Sequence, residues 1–144
     1  MKFRYYKLPL RNQSDFFGYS ILKPIIPIGL TMRGKLFDYA ALIDSGADFC
    51  IFDAGIGEAL DIDVKSGRKI TFSGIQDAGG AQAYVHEVTI VIGGWEHKTM
   101  VGFSYDIASD GYGILGQKGF FDLFIVKFDF LKEEVELTPR EGRF

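Results

Sequence analysis

Residues 40–52 read Ala-Ala-Leu-Ile-Asp44-Ser45-Gly46-Ala47-Asp48-Phe-Cys50-Ile-Phe, so that an apolar strand runs directly into an acidic residue and a tight turn. Carboxylates are rarely buried unless they are paired, hydrogen-bonded or functional, and a carboxylate at the end of a core strand therefore needs an explanation. Asp-Ser-Gly is also ordinary turn chemistry, in which the Asp side chain caps its own turn. Taken alone, the segment leaves Asp44 open between a catalytic and a structural role.

A second segment, residues 112–122, is informative together with the first. It contains two apolar residues and a glycine, Ile114-Leu115-Gly116, and its pattern predicts a short helix over residues 117–123. A strand that ends in Asp-Ser-Gly-Ala, followed 70 residues later by an apolar-apolar-Gly motif, resembles the retropepsin-like aspartic proteases. The resemblance covers residues 24–129, which is most of the chain.

The resemblance implies a mostly β fold, a closed antiparallel β-barrel of the retropepsin or acid-protease type with one or two short helices. It also implies that each chain of a homodimer contributes one Asp loop to a shared site. Asp44 would be the catalytic carboxylate, and the residues that support its loop would be Ser45, Gly46 and Ala47. The structural motif beneath the loop would be Ile114, Leu115 and Gly116.

Members of that family close a β-hairpin flap over bound peptide, and residues 70–92 have a suitable pattern with a Gly-rich tip. An ordinary surface hairpin is the alternative for this stretch. The substrate-binding residues implied by the resemblance are Asp48, Ile75, Ala78, Gly79 and Gly80. The best-known retroviral members carry Arg directly after the apolar-apolar-Gly motif, whereas this chain has Gln117, so the usual Arg partner of the acidic residue at Asp48 is missing.

Period-two patterns elsewhere predict short strands over residues 19–31, 36–43, 69–73, 124–130 and 134–137. A hairpin is expected over residues 88–103, with its turn at Gly93-Gly94. Residues 1–10 are expected to form an edge strand or a strand that pairs across a dimer. A short helix is expected over residues 53–60, with Asp53 as its cap.

Composition limits the remaining possibilities. The 144 residues are enough for one domain, 1–144, and too few for two substantial ones. Sixteen basic against nineteen acidic residues leave no global positive field, so we expect no nucleic-acid partner. The single cysteine, Cys50, and two histidines are too few for a disulfide framework or a Cys/His zinc site, so no metal or other cofactor is expected. With no apolar stretch of signal-peptide or membrane-span length, we expect no membrane partner and a cytoplasmic location.

These observations favour a homodimeric aspartic endopeptidase that hydrolyses a peptide or protein substrate with one Asp44 from each subunit and an activated water. Such a mechanism needs no acyl-enzyme and no nucleophilic Cys or Ser. The alternative is a catalytically weak or inactive module of the same fold that binds peptide or dimerises. A plain β-sandwich without a site is a third possibility.

Overall fold

The computed structural model describes residues 1–72, 80–107 and 111–141. Strands dominate this part of the chain, as expected, together with one α-helix and one 3-10 turn at Val64–Ser66. The helix is α1 (Ala54–Ala59), and the strands are β1 (Lys2–Arg4), β2 (Tyr6–Ser14), β3 (Gly18–Lys23), β4 (Ile25–Met32), β5 (Lys35–Ile43), β6 (Ile51–Asp53), β7 (Arg68–Phe72), β8 (Ala81–Ile92), β9 (Trp95–Ser104), β10 (Gly113–Leu115), β11 (Phe124–Asp129) and β12 (Glu134–Pro139).

The largest sheet contains seven strands in the order β4-β5-β10-β6-β9-β8-β7. Because β4 also pairs with β8, six of these strands form a continuous ring of hydrogen-bonded neighbours. The named strands pair antiparallel, as expected, except at two places, because the pairs β5–β10 and β6–β9 are parallel. Parallel strands need long connections, and long stretches of chain do separate the members of each pair.

The hydrophobic core contains buried side chains from all six strands of the ring and also from α1, β11 and β12. Along β8 the side chains of Val88, Ile90 and Ile92 are buried, in the alternation that a half-buried strand requires. Gly93 and Gly94 both have positive φ, of 59° and 83°, which suits the tight turn into β9. The hairpin predicted over residues 88–103 is confirmed. The strands predicted over residues 124–130 and 134–137 are present as β11 and β12, which pair antiparallel.

The N-terminal third differs from the sequence-based expectation. The single strand predicted over residues 19–31 is wrong, because β3 ends before Pro24 and β4 begins after it. Proline has no backbone N–H to continue a strand ladder. Consequently β3 pairs with β2 in a separate two-stranded sheet, whereas β4 belongs to the ring. The strand expected over residues 1–10 is likewise divided, since β1 pairs with β12 and β2 with β3.

One predicted helix is present and the other is not. The Asp53 side chain caps α1 by accepting a hydrogen bond from the Gly55 N–H at 2.7 Å, as expected. The helix predicted over residues 117–123 is wrong, because this segment forms consecutive turns. Gly119 has a φ of 101°, which a helix does not accommodate, and Lys118 forms an isolated β-bridge with Phe49.

Candidate active site

Asp44 is the first residue after β5 and is half-buried. Its backbone N–H donates to the Leu115 carbonyl at 3.0 Å, which ties the turn to the end of β10. Its Oδ1 accepts a hydrogen bond from the Gly46 N–H at 2.9 Å, and its carbonyl accepts one from Ala47 N–H at 3.2 Å. The carboxylate thus caps its own turn, as the structural interpretation expects, and one of its oxygens is fixed in direction.

The segment after β10 runs alongside the Asp44 loop and holds it in place. The Gln117 N–H donates to the Ala47 carbonyl at 2.8 Å, and the Lys118 N–H donates to the Asp48 carbonyl at 2.9 Å. In addition, the Gln117 side-chain amide donates to the Ser45 carbonyl at 3.0 Å. Sequence reasoning treated Gln117 only as the loss of an Arg and missed this brace. Its polar side chain, directly after the Ile114-Leu115-Gly116 motif, was the available signal.

Gly116 lies where the two segments come closest. A Cβ built on Gly116 would lie 2.6 Å from the carbonyl carbon of Phe49 and 2.8 Å from the carbonyl oxygen of Ala47. Real Cβ atoms do not approach backbone this closely, so the close contact requires glycine. Ile114 and Leu115 precede it in β10, in register with Leu42 and Ile43 of β5.

Cys50 is fully buried beneath the loop, and its Sγ accepts a hydrogen bond from the Gly116 N–H at 3.4 Å. Burial raises the pKa of the Cys50 thiol to about 12. The thiol therefore stays protonated at neutral pH, which makes it a packing group rather than a nucleophile.

The turn itself points to the outside of the molecule. Ser45, Gly46 and Asp48 are exposed, while Ala47 is half-buried between them. The half-buried carboxylate of Asp44 therefore lies next to a solvent-facing turn, where another molecule has access to it.

Within the stretch 70–92, for which a flap was predicted, β7 and β8 pair antiparallel, with Phe72 opposite Ala81 at the last described pair. The Phe49 ring, from the Asp44 loop, contacts the Phe72 ring edge-on with centroids 5.6 Å apart. Gly80, directly before β8, has a positive φ of 65°. The other predicted substrate-binding residues of this hairpin, Ile75, Ala78 and Gly79, lie outside the described residues.

The described residues hold no group of three or more His, Cys, Asp or Glu side chains arranged to bind a metal ion. None of the helical segments in the same part of the chain has the length and apolar character of a membrane span.

Solved structures that are similar to this chain include two proteases. One is a retropepsin-like aspartic protease from Rickettsia conorii, with a TM-score of 0.56 and 13% sequence identity over 95% of this chain and 92% of that one. The other is the EIAV protease in complex with the inhibitor HBY-793, with a TM-score of 0.46 and 25% identity over 66% of this chain and 82% of that one. No protein-family model and no curated protein matches the sequence. The chain has a retropepsin-like fold, which excludes the plain β-sandwich.

Proposed function

We propose that this chain is a retropepsin-like aspartic endopeptidase that acts as a homodimer. The observation that carries the proposal is the position of Asp44, half-buried at the end of a core strand and oriented by the Gly46 N–H. A carboxylate held in a fixed direction beside an exposed turn has the preorganisation that proton transfer requires. The retropepsin-like fold supports the same assignment.

A homodimer is required because each chain supplies one Asp44. The exposed turn of Ser45 and Gly46 gives two copies a surface on which their loops can meet around a two-fold axis. In such a dimer Ser45, Gly46 and Ala47 support the site, while Ile114, Leu115 and Gly116 form the motif beneath it.

The mechanism follows from the electrostatics of two neighbouring carboxylates. Two Asp44 side chains within hydrogen-bonding distance do not both ionise readily, so the pair shares one proton and titrates as a unit. The ionised Asp44 takes a proton from a water whose oxygen attacks the scissile carbonyl carbon. The protonated Asp44 donates its proton to the carbonyl oxygen. When the tetrahedral intermediate collapses, the Asp44 that took the water proton gives it to the leaving amine and the C–N bond breaks. The other Asp44 recovers its proton from a hydroxyl of the intermediate, which restores the pair with one shared proton.

Substrate is an extended peptide or protein segment bound beneath the β7–β8 hairpin, which acts as the flap. Backbone hydrogen bonds hold the peptide as an added strand. Asp48, Ile75, Ala78, Gly79 and Gly80 are proposed to contact it. We also propose that the barrel is closed, that the enzyme needs no cofactor and that it is located in the cytoplasm.

Peptide-library cleavage, read by mass spectrometry from about pH 4 to 7, tests the proposal. Wild type and Asp44→Asn are compared at a concentration that keeps any dimer assembled. New termini produced by wild type alone support the peptidase and reveal its subsite preferences. Cleavage by neither folded protein, with peptide still bound by both, would contradict it and favour the peptide-binding module.

A further inference from the structure

The first residues of β8 extend past the end of its ladder with β9. The last pair of that ladder is Tyr84 opposite Phe103, whereas β8 begins at Ala81. On its other side the same stretch of β8 is paired with β7. Backbone N–H and carbonyl groups within a fold need hydrogen-bond partners, so the groups of β8 that face β9 beyond Tyr84 have to find them outside the ladder.

Two side chains that follow Phe103 supply these partners, and both of them bind Gln82. The Ser104 hydroxyl donates to the Gln82 carbonyl at 2.6 Å, and the Asp106 carboxylate accepts from the Gln82 N–H at 2.9 Å. The Asp106 N–H in turn donates to the Ser104 hydroxyl at 3.1 Å, which closes the network. Both backbone groups of Gln82 are therefore bound, as a neighbouring strand would bind them. We call Ser104 and Asp106 the Gln82 clamp.

The two members of the Gln82 clamp differ in exposure. Ser104 is fully buried, so its side chain is shielded from water, whereas Asp106 is exposed. A charged acceptor forms a stronger hydrogen bond with an N–H than a neutral acceptor does, which offsets the competition with water at Asp106. Each residue type therefore suits its place in the network.

The clamp fixes β7 as well as β8. Thr71 of β7 lies opposite Gln82, and the next pair of that ladder is Phe72 opposite Ala81. Because ladder hydrogen bonds join the two strands, a displacement of Gln82 relative to β9 moves this end of β7 with it.

The same end of β7 is in contact with the Asp44 loop through Phe49. The Phe49 ring lies edge-on against the Phe72 ring, with centroids 5.6 Å apart. It also covers Gly102 of β9, where a Cβ would come within 2.7 Å of the Phe49 ring. The ring therefore rests on β7 and on β9 at once, so the spacing of these two strands across β8 determines where the β7–β8 hairpin lies relative to Asp44.

We propose that Ser104 and Asp106 are positioning residues for peptide binding, which hold the β7–β8 hairpin at the distance from Asp44 at which a peptide pairs with it. The inference rests on the proposed peptidase, in which this hairpin covers the substrate. The clamp acts through Gln82 and not on the reacting carboxylate, so its loss weakens peptide binding more than it slows bond cleavage. A clamp that only stabilised the fold would leave peptide binding unchanged.

Peptide kinetics of two Asp106 variants test the proposal. Asp106→Ala removes the acceptor of the Gln82 N–H, whereas Asp106→Asn keeps a side-chain oxygen that accepts the same bond. Because Asp106 is exposed, the fold tolerates both changes. The probe is the library peptide that wild type cleaves fastest, or the one that it binds most tightly if it cleaves none.

Asp129→Ala is the matched control for the loss of a carboxylate. Asp129 also accepts a backbone N–H, from Lys132 at 3.1 Å, but it does so in the turn between β11 and β12. The control therefore removes the same kind of bond and the same charge without touching β8.

We expect Asp106→Ala to raise the KM for this peptide, or its Kd where none is cleaved, about three- to tenfold, which is the scale of one hydrogen bond. The kcat should change by less than about twofold, because binding and not the chemical step is affected. Asp106→Asn and Asp129→Ala should match wild type. The Gln82 amide, followed by NMR, should exchange its hydrogen with solvent faster in Asp106→Ala and at the wild-type rate in Asp106→Asn.

Ser104→Ala tests the other half of the clamp, because it removes the donor to the Gln82 carbonyl. Since that carbonyl then loses its partner, we expect a lower melting temperature together with a similar rise in KM. Ser66→Ala is its control, because the Ser66 hydroxyl donates to the Asp63 carbonyl at 2.6 Å in the 3-10 turn. Ser66→Ala should leave KM unchanged.

Wild-type KM in Asp106→Ala would overturn the positioning role and leave the proposed peptidase intact. A rise in KM that Asp106→Asn or Asp129→Ala shares would overturn it as well, because the effect would then follow from charge and not from the clamp. If wild type binds peptide without cleaving it, the proposed peptidase is contradicted, and a raised Kd in Asp106→Ala alone still supports the clamp. Wild type that neither cleaves nor binds any library peptide would overturn both proposals.

Discussion

Asp44 and Asp53 share one local geometry, but the chain continues differently after each of them. Each lies at the end of a strand, and each accepts a hydrogen bond from the glycine N–H two residues later, at 2.9 Å for Asp44 and 2.7 Å for Asp53. After Asp53 the chain enters α1, whose first residue is buried. After Asp44 the chain turns outward through two exposed residues and then runs along residues 116–118.

The comparison teaches that Asp-x-Gly hydrogen bonding does not by itself distinguish a structural carboxylate from a functional one. At Asp53 the hydrogen bond has an evident structural result, because it caps a helix. At Asp44 no helix comes next, and the same bond only directs a carboxylate toward an exposed turn. The separate bracing by Gln117 and Lys118 maintains that direction, which is the feature expected of a reactive group.

The largest expected effect separates the two aspartates. Asp44→Asn and Asp53→Asn each remove one charge and keep the oxygen that accepts from the glycine N–H. We expect Asp44→Asn to lower the peptide cleavage rate by about 10⁴-fold, the scale seen when a member of a catalytic unit is disabled. Asp53→Asn should retain cleavage, because Asn caps helices as well as Asp. Equal activity of the two variants would remove the distinction.

A smaller effect is expected from Gly116→Ala, which changes only the close contact between Gly116 and the Asp44 loop. The added methyl meets the backbone of Phe49 and Ala47 rather than a flexible side chain, so the loop must shift. We expect a loss of about 1–3 kcal/mol in the free energy of unfolding, measured by urea titration, with a marked loss of cleavage. Gly94→Ala is a control for the added methyl group, because its Cβ would meet no atom within 4 Å, although Gly94 has a positive φ and Gly116 does not. Full cleavage activity in Gly116→Ala would show that the packing does not position Asp44.

Asp53→Ala should lower the stability of the protein at α1 and leave the Asp44 loop unchanged. Removing the cap of α1 is expected to lower the free energy of unfolding by about 1 kcal/mol. Cleavage measured well below the melting temperature should be unchanged, because α1 does not contact the Asp44 loop through any hydrogen bond in the described residues. A change in cleavage rate at constant folded fraction would contradict this separation.

The smallest effect is expected at Gln117. Gln117→Leu removes the amide that donates to the Ser45 carbonyl at an exposed position. Because solvent replaces such a bond in part, we expect the melting temperature to change little, while kcat falls a few-fold as the loop gains freedom. Gln117→Glu lacks the amide donor but keeps the shape of the side chain, so its kcat should fall as much as that of Gln117→Leu. Wild-type kcat in both variants would show that the hydrogen bond from Gln117 to the Ser45 carbonyl does not position the loop.

Local patterns predicted the parts of the fold that depend on neighbours in the sequence. Alternation along β8 and the glycine pair after it identified the β8–β9 hairpin, and Asp53 identified the start of α1. The pattern failed at residues 117–123, where apolar spacing fits a helix but Gly119 adopts a positive φ to approach the Met100 carbonyl. The contact comes from β9, so no local rule contains it.

The arrangement of the candidate site depended on contacts between distant segments. The proximity of Asp44 to Leu115 and Gln117 arises from a parallel pair of strands separated by about half of the chain. Periodicity does not specify such pairing, and only the resemblance of the two motifs to a known family suggested it. The division of residues 1–31 between a free hairpin and the ring was also missed, because strand patterns do not reveal which sheet a strand joins.

Mixing wild type with Asp44→Asn tests the central claim most directly, namely that one site is built from two copies of Asp44. The two proteins are combined in equal amounts, allowed to exchange subunits, and assayed for peptide cleavage at constant total concentration. If both carboxylates are needed, only wild-type homodimers cleave, and the activity should fall to about a quarter of that of wild type alone. Activity at about one half would mean that each chain works with its own Asp44, which would contradict the shared site.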